Sequence, residues 1–146
     1  MYRFRERFLS GIFALVMISS LLCTAASAAV QSSEYLDGYS VAMTPDSNGK
    51  MIVTLDVSAL DYMTEIGAKS ISVYESTNGE DFYWVKTYYK SSYPKMMGSG
   101  ISFYKSVLTH QGTPGYYYYA KANIYAGDST GGDERYCNSA IERARN

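Results

Sequence analysis

Cysteine, histidine and proline are scarce in this sequence, and two of these shortages exclude a class of protein. The 146 residues include two cysteines, Cys23 and Cys137, a single histidine, His110, and three prolines. A disulfide-stapled fold needs several cysteine pairs, and a structural zinc site needs several Cys or His ligands at short spacing. The sequence therefore predicts no disulfide framework, no metal site and no other cofactor.

Charge is missing from the first apolar run, and the residues around that run have the order of a secretory signal peptide. Three arginines within residues 1–7 precede the uncharged segment from Phe8 to Leu22, and small residues fill positions 24–29. We expect cleavage near Ala28. Residues 1–28 are then a signal peptide, and the remainder is an exported protein.

Membrane anchoring and lipid attachment are the alternative roles for this segment. Its strongly apolar part is about fifteen residues long, short of the roughly twenty that span a bilayer. Cys23 is a potential lipid-attachment site, but the bulky Leu22 precedes it, where the bacterial lipoprotein signal that it resembles has a small residue. We therefore predict a secreted chain with no membrane span after cleavage.

An excess of basic charge is absent as well. Cleavage after Ala28 leaves 118 residues that contain 10 Lys and Arg against 13 Asp and Glu, a net charge of −3. That length suffices for one domain with its own apolar core. Nucleic-acid binding relies on a basic stripe that neutralises phosphates, so no nucleic-acid partner is predicted.

Alternating apolar and polar residues predict that the remaining chain forms β-strands. Met51 to Ser58 shows this period-two pattern most clearly, and the turn residues Pro45 to Gly49 connect it to an earlier strand near Tyr39 to Thr44. Between positions 58 and 70 the apolar residues recur at every third position instead. That spacing predicts a single helical turn through Leu60, Met63 and Ile66, ended by Gly67.

A second hairpin is predicted from Ser70–Glu75 and Phe82–Tyr89, because the Asn-Gly pair between them is the strongest short turn signal. Further strands are predicted over residues 101–109, 116–126 and 136–143. About seven short strands after a lead-in over residues 29–38 predict an all-β fold. We expect a single antiparallel two-sheet β-sandwich over residues 39–146.

The run Pro114-Gly115-Tyr116-Tyr117-Tyr118 precedes small apolar residues at alternate positions, and it resembles the start of strand F in immunoglobulin-like domains of the fibronectin type III class. The resemblance implies that Tyr118 forms a tyrosine corner, with a buried ring and a hydroxyl bonded to upstream backbone. The hairpin that leads to Trp84 is similar to strands C and C′ of bacterial domains of this class. The chain is also similar to small exported proteins of Gram-positive bacteria.

Tyrosine is the one residue in excess, with 16 in the chain. In the resembled topology strand F shares a sheet with C and C′. If Tyr118 and Trp84 point inward as structural residues, alternation places a candidate binding surface on the outward side, made of Tyr74, Tyr83, Tyr117 and Tyr119. Tyrosine suits recognition because it offers large area and a polar tip, but it also pairs across strands without any ligand.

No motif specifies a catalytic site. His110 has no nucleophile elbow or other local signature, and it is expected at the surface. The pairs Glu80–Asp81 and Asp133–Glu134 are expected as solvated charge in turns. Cys137 is either a reactive thiol or a small buried side chain, and the second interpretation is favoured.

The function predicted from these observations is a non-catalytic binding or surface-interaction module. Its predicted partners are a cell-wall polymer, a glycan or another exported protein. The alternative is a small secreted hydrolase or an enzyme-regulating protein whose active residues no motif reveals.

Overall fold

Residues 33–146, which the computed structural model describes, form two antiparallel sheets packed as a β-sandwich, as the sequence predicts. The predicted signal peptide over residues 1–28 and its cleavage site lie outside the described residues. The strands are β1 (Leu36–Pro45), β2 (Lys50–Met63), β3 (Glu65–Ser76), β4 (Tyr83–Tyr89), β5 (Met97–Gly98), β6 (Ile101–Gln111), β7 (Tyr117–Gly127), β8 (Gly132–Asn138) and β9 (Glu142–Arg143), and a short 3₁₀ turn at Pro94–Met96 precedes β5.

The smaller sheet has the strand order β1-β2-β6, and the larger has the order β4-β3-β7-β8. The short strands β5 and β9 extend the larger sheet by pairing with β3 and β7. Both predicted hairpins are present, since β1 pairs with β2 and β3 pairs with β4. Their turns use residues that tolerate positive φ, with φ values of 56° at Asn48, 77° at Gly49 and 80° at Gly79.

The core lies between the inner faces of the two sheets. The strand predicted from the alternation in β2 is confirmed, because its apolar residues are at most 1% exposed: Met51, Val53, Leu55 and Val57. The opposing side chains come mainly from β3 and β7. Buried positions recur at every second residue along most of β7, whereas an irregularity between Ala68 and Ser70 shifts the alternation in β3. Four alanines lie among the inward positions of the larger sheet, at 68, 120, 122 and 126, so small side chains there face larger ones across the core.

The predicted helical turn between positions 58 and 70 is wrong. Strand β2 continues to Met63 and β3 begins at Glu65, so the chain crosses from one sheet to the other at Thr64. An irregularity after Ser58 shifts the pairing of β2 with β6, which leaves Leu60 60% exposed while Met63 is buried. The three-residue spacing of Leu60, Met63 and Ile66 therefore arises from this shift in pairing and from the change of sheet at Thr64, and not from a helix.

Gly67 does not end a helix but lies inside β3, where it pairs with Met97 of β5. Its φ is 148°, a value that side-chain-bearing residues rarely adopt, and a Cβ atom there would lie 2.2 Å from the carbonyl oxygen of Met96. Only glycine permits this close backbone approach. It holds the 3₁₀ turn and β5 against the edge of β3.

The ends of the sandwich also differ from prediction. Strand β1 begins at Leu36, earlier than predicted, and the Ser33 hydroxyl and the Glu34 N–H both donate to the Asp133 carboxylate. The last predicted strand is divided into β8 and β9, with β8 starting at Gly132. Asp133 and Glu134 therefore lie in a strand and not in a turn.

Candidate binding surface

The outward side of the larger sheet is rich in aromatic side chains. Because Tyr118, Ala120, Ala122 and Ile124 of β7 are buried, the residues between them point away from the core. The register of β3, β4 and β8 against β7 adds further residues to the same side. We call this surface the aromatic face; its aromatic members are Tyr74, Trp84, Tyr89, Tyr117, Tyr119, Tyr125 and Tyr136.

Tyr74 and Tyr119 form the centre of the part of the aromatic face that lies near the start of β7. They are directly opposite on β3 and β7, and their rings stack with centroids 4.8 Å apart and planes 4° apart. Phe82 packs edge-on against Tyr119, with the ring centroids at 5.0 Å and the planes at 71°. Burial, and then the neighbouring Tyr74, raise the pKa of Tyr119. This cluster is therefore a packed and ordered platform.

Tyr117 lies beside this cluster at the start of β7. Its ring lies about 3.5 Å from the position that a Cβ atom on Gly79 would take, so the Asn-Gly turn packs closely on it. The guanidinium of Arg143 lies 5.6 Å from the ring centroid, within the range of a cation–π contact. Three of the four predicted surface tyrosines, 74, 117 and 119, thus share one side of the sheet.

Tyr83 does not share that side, and the expectation that Trp84 points inward is wrong. In the pairing of β3 with β4, Val73 lies opposite Lys86 but Tyr74 lies opposite Trp84, so Val85 is an extra residue. This β-bulge inverts the alternation beyond it. Trp84 is consequently 62% exposed beside Tyr74, and Tyr83 lies opposite Glu75 on the other side of the sheet.

The aromatic face has a second part, around Tyr125 and Tyr136, which the sequence analysis does not identify. The ammonium of Lys69 lies 4.0 Å from the centroid of the Tyr125 ring and 2.7 Å from Oε1 of Glu134. Lys121 lies over the Tyr136 ring at 5.2 Å. The outward direction of Tyr125 can be predicted from the sequence, because Tyr125 lies an odd number of residues, seven, after the inward Tyr118 on the same strand.

Tyr118 supports the sheet from the inner side. Its ring is fully buried, and its hydroxyl accepts a hydrogen bond from the Thr113 N–H at 2.7 Å and donates one to Oε2 of Glu75 at 2.9 Å. Burial raises the pKa of this phenol, and the Thr113 hydrogen bond opposes that shift. The contact fixes the loop before β7 and thereby the position where Tyr117 leaves the turn.

His110 is buried, and the expectation of a surface histidine is wrong. It lies opposite Met51 near the end of β6, with only 4% of its surface exposed. Nδ1 is 2.9 Å from the Tyr88 hydroxyl, and Nε2 has no hydrogen-bond partner among the described residues. Burial lowers the pKa of His110, Lys86 lowers it further, and Glu75 partly opposes both.

We expect the burial of His110 to make the fold acid-sensitive. The unfolded chain binds a proton at this residue near pH 6.5, while the folded chain binds it only at lower pH. The free energy of unfolding should therefore decrease as the pH falls through 6.5. The charged and titratable groups around the ring are Lys86 and Tyr88 of β4, Glu75 of β3 and Tyr118 of β7.

Urea unfolding between pH 7.5 and 5.5 measures this effect. His110→Gln keeps a polar group near Tyr88 but does not titrate, so its stability should change less over this range than that of the parent chain. Equal slopes in the two proteins would contradict the assignment of the proton uptake to His110.

The other residues considered for chemistry occupy structural positions. Cys137 is half-buried against the core, and burial raises the pKa of its thiol, which disfavours the reactive thiolate. Asp81 accepts a hydrogen bond from the Asn78 amide in the turn after β3, whereas Glu134 pairs with Lys69. Within residues 33–146 no group of three or more His, Cys, Asp or Glu side chains is arranged to hold a metal ion.

The sequence matches no protein-family model, and no curated protein is significantly similar to it. In the part of the chain that the structure covers, no helix has the length and apolar character to cross a membrane.

Proposed function

We propose that this chain is an exported, non-catalytic binding module and that it binds through the aromatic face. The observation that carries the proposal is the stacked pair Tyr74–Tyr119, flanked on the same side of the sheet by Tyr117 and the largely exposed Trp84. Exposed aromatic clusters mark interaction sites more often than scattered surface residues do. Trp and Tyr also lose little conformational entropy on binding.

The shape of the surface supports binding over catalysis. The face lies on the regular strands β3, β4 and β7, which hold the rings at fixed spacing. The alternative function is a small hydrolase or an enzyme regulator, and His110 is the candidate base of the hydrolase. That imidazole is buried against Tyr88 and Tyr118, which disfavours contact with a substrate.

Export and the fibronectin type III-like relationship are also part of the proposal. The arginine, apolar and small-residue order of residues 1–28 supports secretion. The upstream hydrogen bond of Tyr118 and the presence of β3, β4 and β7 in one sheet support a fibronectin type III-like relationship. Both features match what the resemblance implies.

The test uses the full chain expressed in a Gram-positive host and recovered from the culture supernatant. Intact mass should give an N-terminus at or near Ala29. The purified protein is then applied to a glycan array and to an isolated cell-wall preparation. We expect binding that the double variant Trp84→Ala, Tyr119→Ala weakens by roughly thirtyfold, the size of a hot-spot loss.

Phe103→Ala is the matched control, because Phe103 is 58% exposed but belongs to β6 in the smaller sheet. Its binding should equal that of the parent chain, and circular dichroism should show that all variants fold. Binding that the double variant retains, or that Phe103→Ala loses equally, would overturn the assignment of function to the aromatic face.

A further inference from the structure

The polar residues of the aromatic face indicate which ligand it suits. At the outward positions of β3, β7 and β8 the side chains between the rings are hydroxyl, amide or charged groups, and none is aliphatic. Ser72, for example, lies between Thr87 and Lys121 in the middle of the sheet, and Asn123 lies opposite Tyr136. The outer side of the smaller sheet differs, since it carries Ile52 and Val107.

This mixture favours a ligand with both apolar faces and many hydroxyls. Rings offer flat apolar area to such a ligand, while the hydroxyl and amide groups between them offer hydrogen bonds. A protein interface would be centred on well-packed apolar anchors in pockets. Sugar rings have the required combination on every unit, so a carbohydrate fits this face better than an apolar protein surface does.

The charges of the face point to an acidic ligand. Its two carboxylates, Glu65 and Glu134, are each paired with a lysine, at 2.6 and 2.7 Å. Lys121 and Arg143 lie over aromatic rings of the face, and neither has a carboxylate partner among the described residues. The face thus has a net charge of +2, with four basic side chains against the two carboxylates: Lys69, Lys90, Lys121 and Arg143.

The rest of the domain has the opposite sign. Residues 33–146 contain 10 basic and 13 acidic side chains, a net charge of −3, so the residues outside the aromatic face have a net charge of −5. Glu80 and Asp81 stand in the turn beyond β3, at the end of the face, and Asp81 is already bonded to Asn78. Positive charge is therefore concentrated where the aromatic rings are, which is charge complementarity toward an anion.

The length of the face favours a polymer over a single sugar. Tyr117, Tyr119, Lys121 and Tyr125 lie at outward positions along β7. The distance from the first to the last is about 27 Å, at roughly 3.4 Å per residue. A monosaccharide would contact only one or two of these side chains, whereas a chain of sugars would reach both the rings and the cations.

From these observations we infer that the aromatic face binds a carboxylated polysaccharide, with sugar rings on the aromatic side chains and carboxylates beside Lys121 and Arg143. This inference rests on the proposed function and adds the chemical class of the ligand. Lys69 and Lys90 contribute less, because Glu134 and Glu65 already neutralise them.

The experiment measures affinity for polygalacturonate and for the neutral polymer dextran, by affinity electrophoresis at two salt concentrations. We expect binding to polygalacturonate that weakens with salt, and a roughly tenfold or greater loss in the double variant Lys121→Gln, Arg143→Gln. Lys105→Gln is the control, because Lys105 pairs with Asp56 on the smaller sheet and should leave the affinity unchanged.

The failures of the two proposals are distinguishable. Equal binding to dextran and polygalacturonate, unaffected by the charge variant but lost in Trp84→Ala, Tyr119→Ala, would overturn the acidic-polysaccharide inference and leave the binding surface in place. Binding of an exported protein to the face, without binding to either polymer, would also overturn it. Polygalacturonate binding that both double variants retain would contradict both proposals.

Discussion

Replacing Gly67 by alanine is expected to lower the free energy of unfolding by about 3 kcal/mol or more. Two costs add at this position. A side chain must adopt a φ of 148°, and its Cβ atom would lie 2.2 Å from the Met96 carbonyl oxygen, a backbone atom that cannot rotate away. The 3₁₀ turn and β5 must therefore move away from β3 to make room.

Gly100→Ala separates these two costs. Gly100 also has a positive φ, 71°, but no heavy atom other than its own and those of its chain neighbours lies within 4 Å of the position that its Cβ would take. We expect a loss of only about 1 kcal/mol there, from backbone strain alone. Urea unfolding of both variants measures the difference, and equal midpoints would show that the close approach of β5 to Gly67 does not contribute to stability.

Removing the hydroxyl of Tyr118 is the second substitution with a large expected effect. Tyr118→Phe keeps the buried ring but leaves the Thr113 N–H without its acceptor and the Glu75 carboxylate without a donor. Unpaired groups of this kind cost about 1 to 3 kcal/mol. We expect the free energy of unfolding to fall by that amount, and the loop from Thr113 to Gly115 to become more accessible to protease.

Tyr117→Phe is the control for that measurement. Tyr117 is adjacent in sequence and lies on the opposite side of β7, where no hydrogen bond of its hydroxyl is found among the described residues. Its change in unfolding free energy should stay within about 0.5 kcal/mol, as for other surface substitutions. A loss as large as that of Tyr118→Phe would contradict the role of the corner hydroxyl.

Features that depend on a few neighbouring residues could be predicted from the sequence. The alternation of Met51 to Val57 predicts a strand because every second side chain must face one core. The Asn-Gly pair at 78–79 predicts the hairpin, because Gly79 tolerates the φ of 80° in the turn and the Asn78 side chain accepts hydrogen bonds from the Glu80 and Asp81 N–H groups. Alternation from an inward Tyr118 also predicts that Tyr119 is on the outward side, whereas its stacking on Tyr74 depends on the register of β3 against β7.

Features that depend on pairing between distant strands could not be predicted. The bulge at Val85 exists because β4 pairs with β3 in one register before it and in another after it, and no local pattern marks that change. The same holds for His110, whose burial depends on β6 extending to Gln111 beside β2. The errors for Trp84, Tyr83 and His110 therefore share one cause: the direction of each side chain is set by its partner strand.

The bulge at Val85 also has a consequence for how this surface can evolve. Strand β4 is the edge of its sheet, where an extra residue is tolerated more easily than in a central strand. Loss of the single codon for Val85 would restore regular pairing and leave Trp84 opposite Tyr74 and Tyr83 opposite Glu75, because Val85 is the residue without a partner on β3. Regular pairing with Val85 retained would instead place Val85 opposite Tyr74 and turn Trp84 to the other side of the sheet, so the bulge is what keeps the indole on the aromatic face.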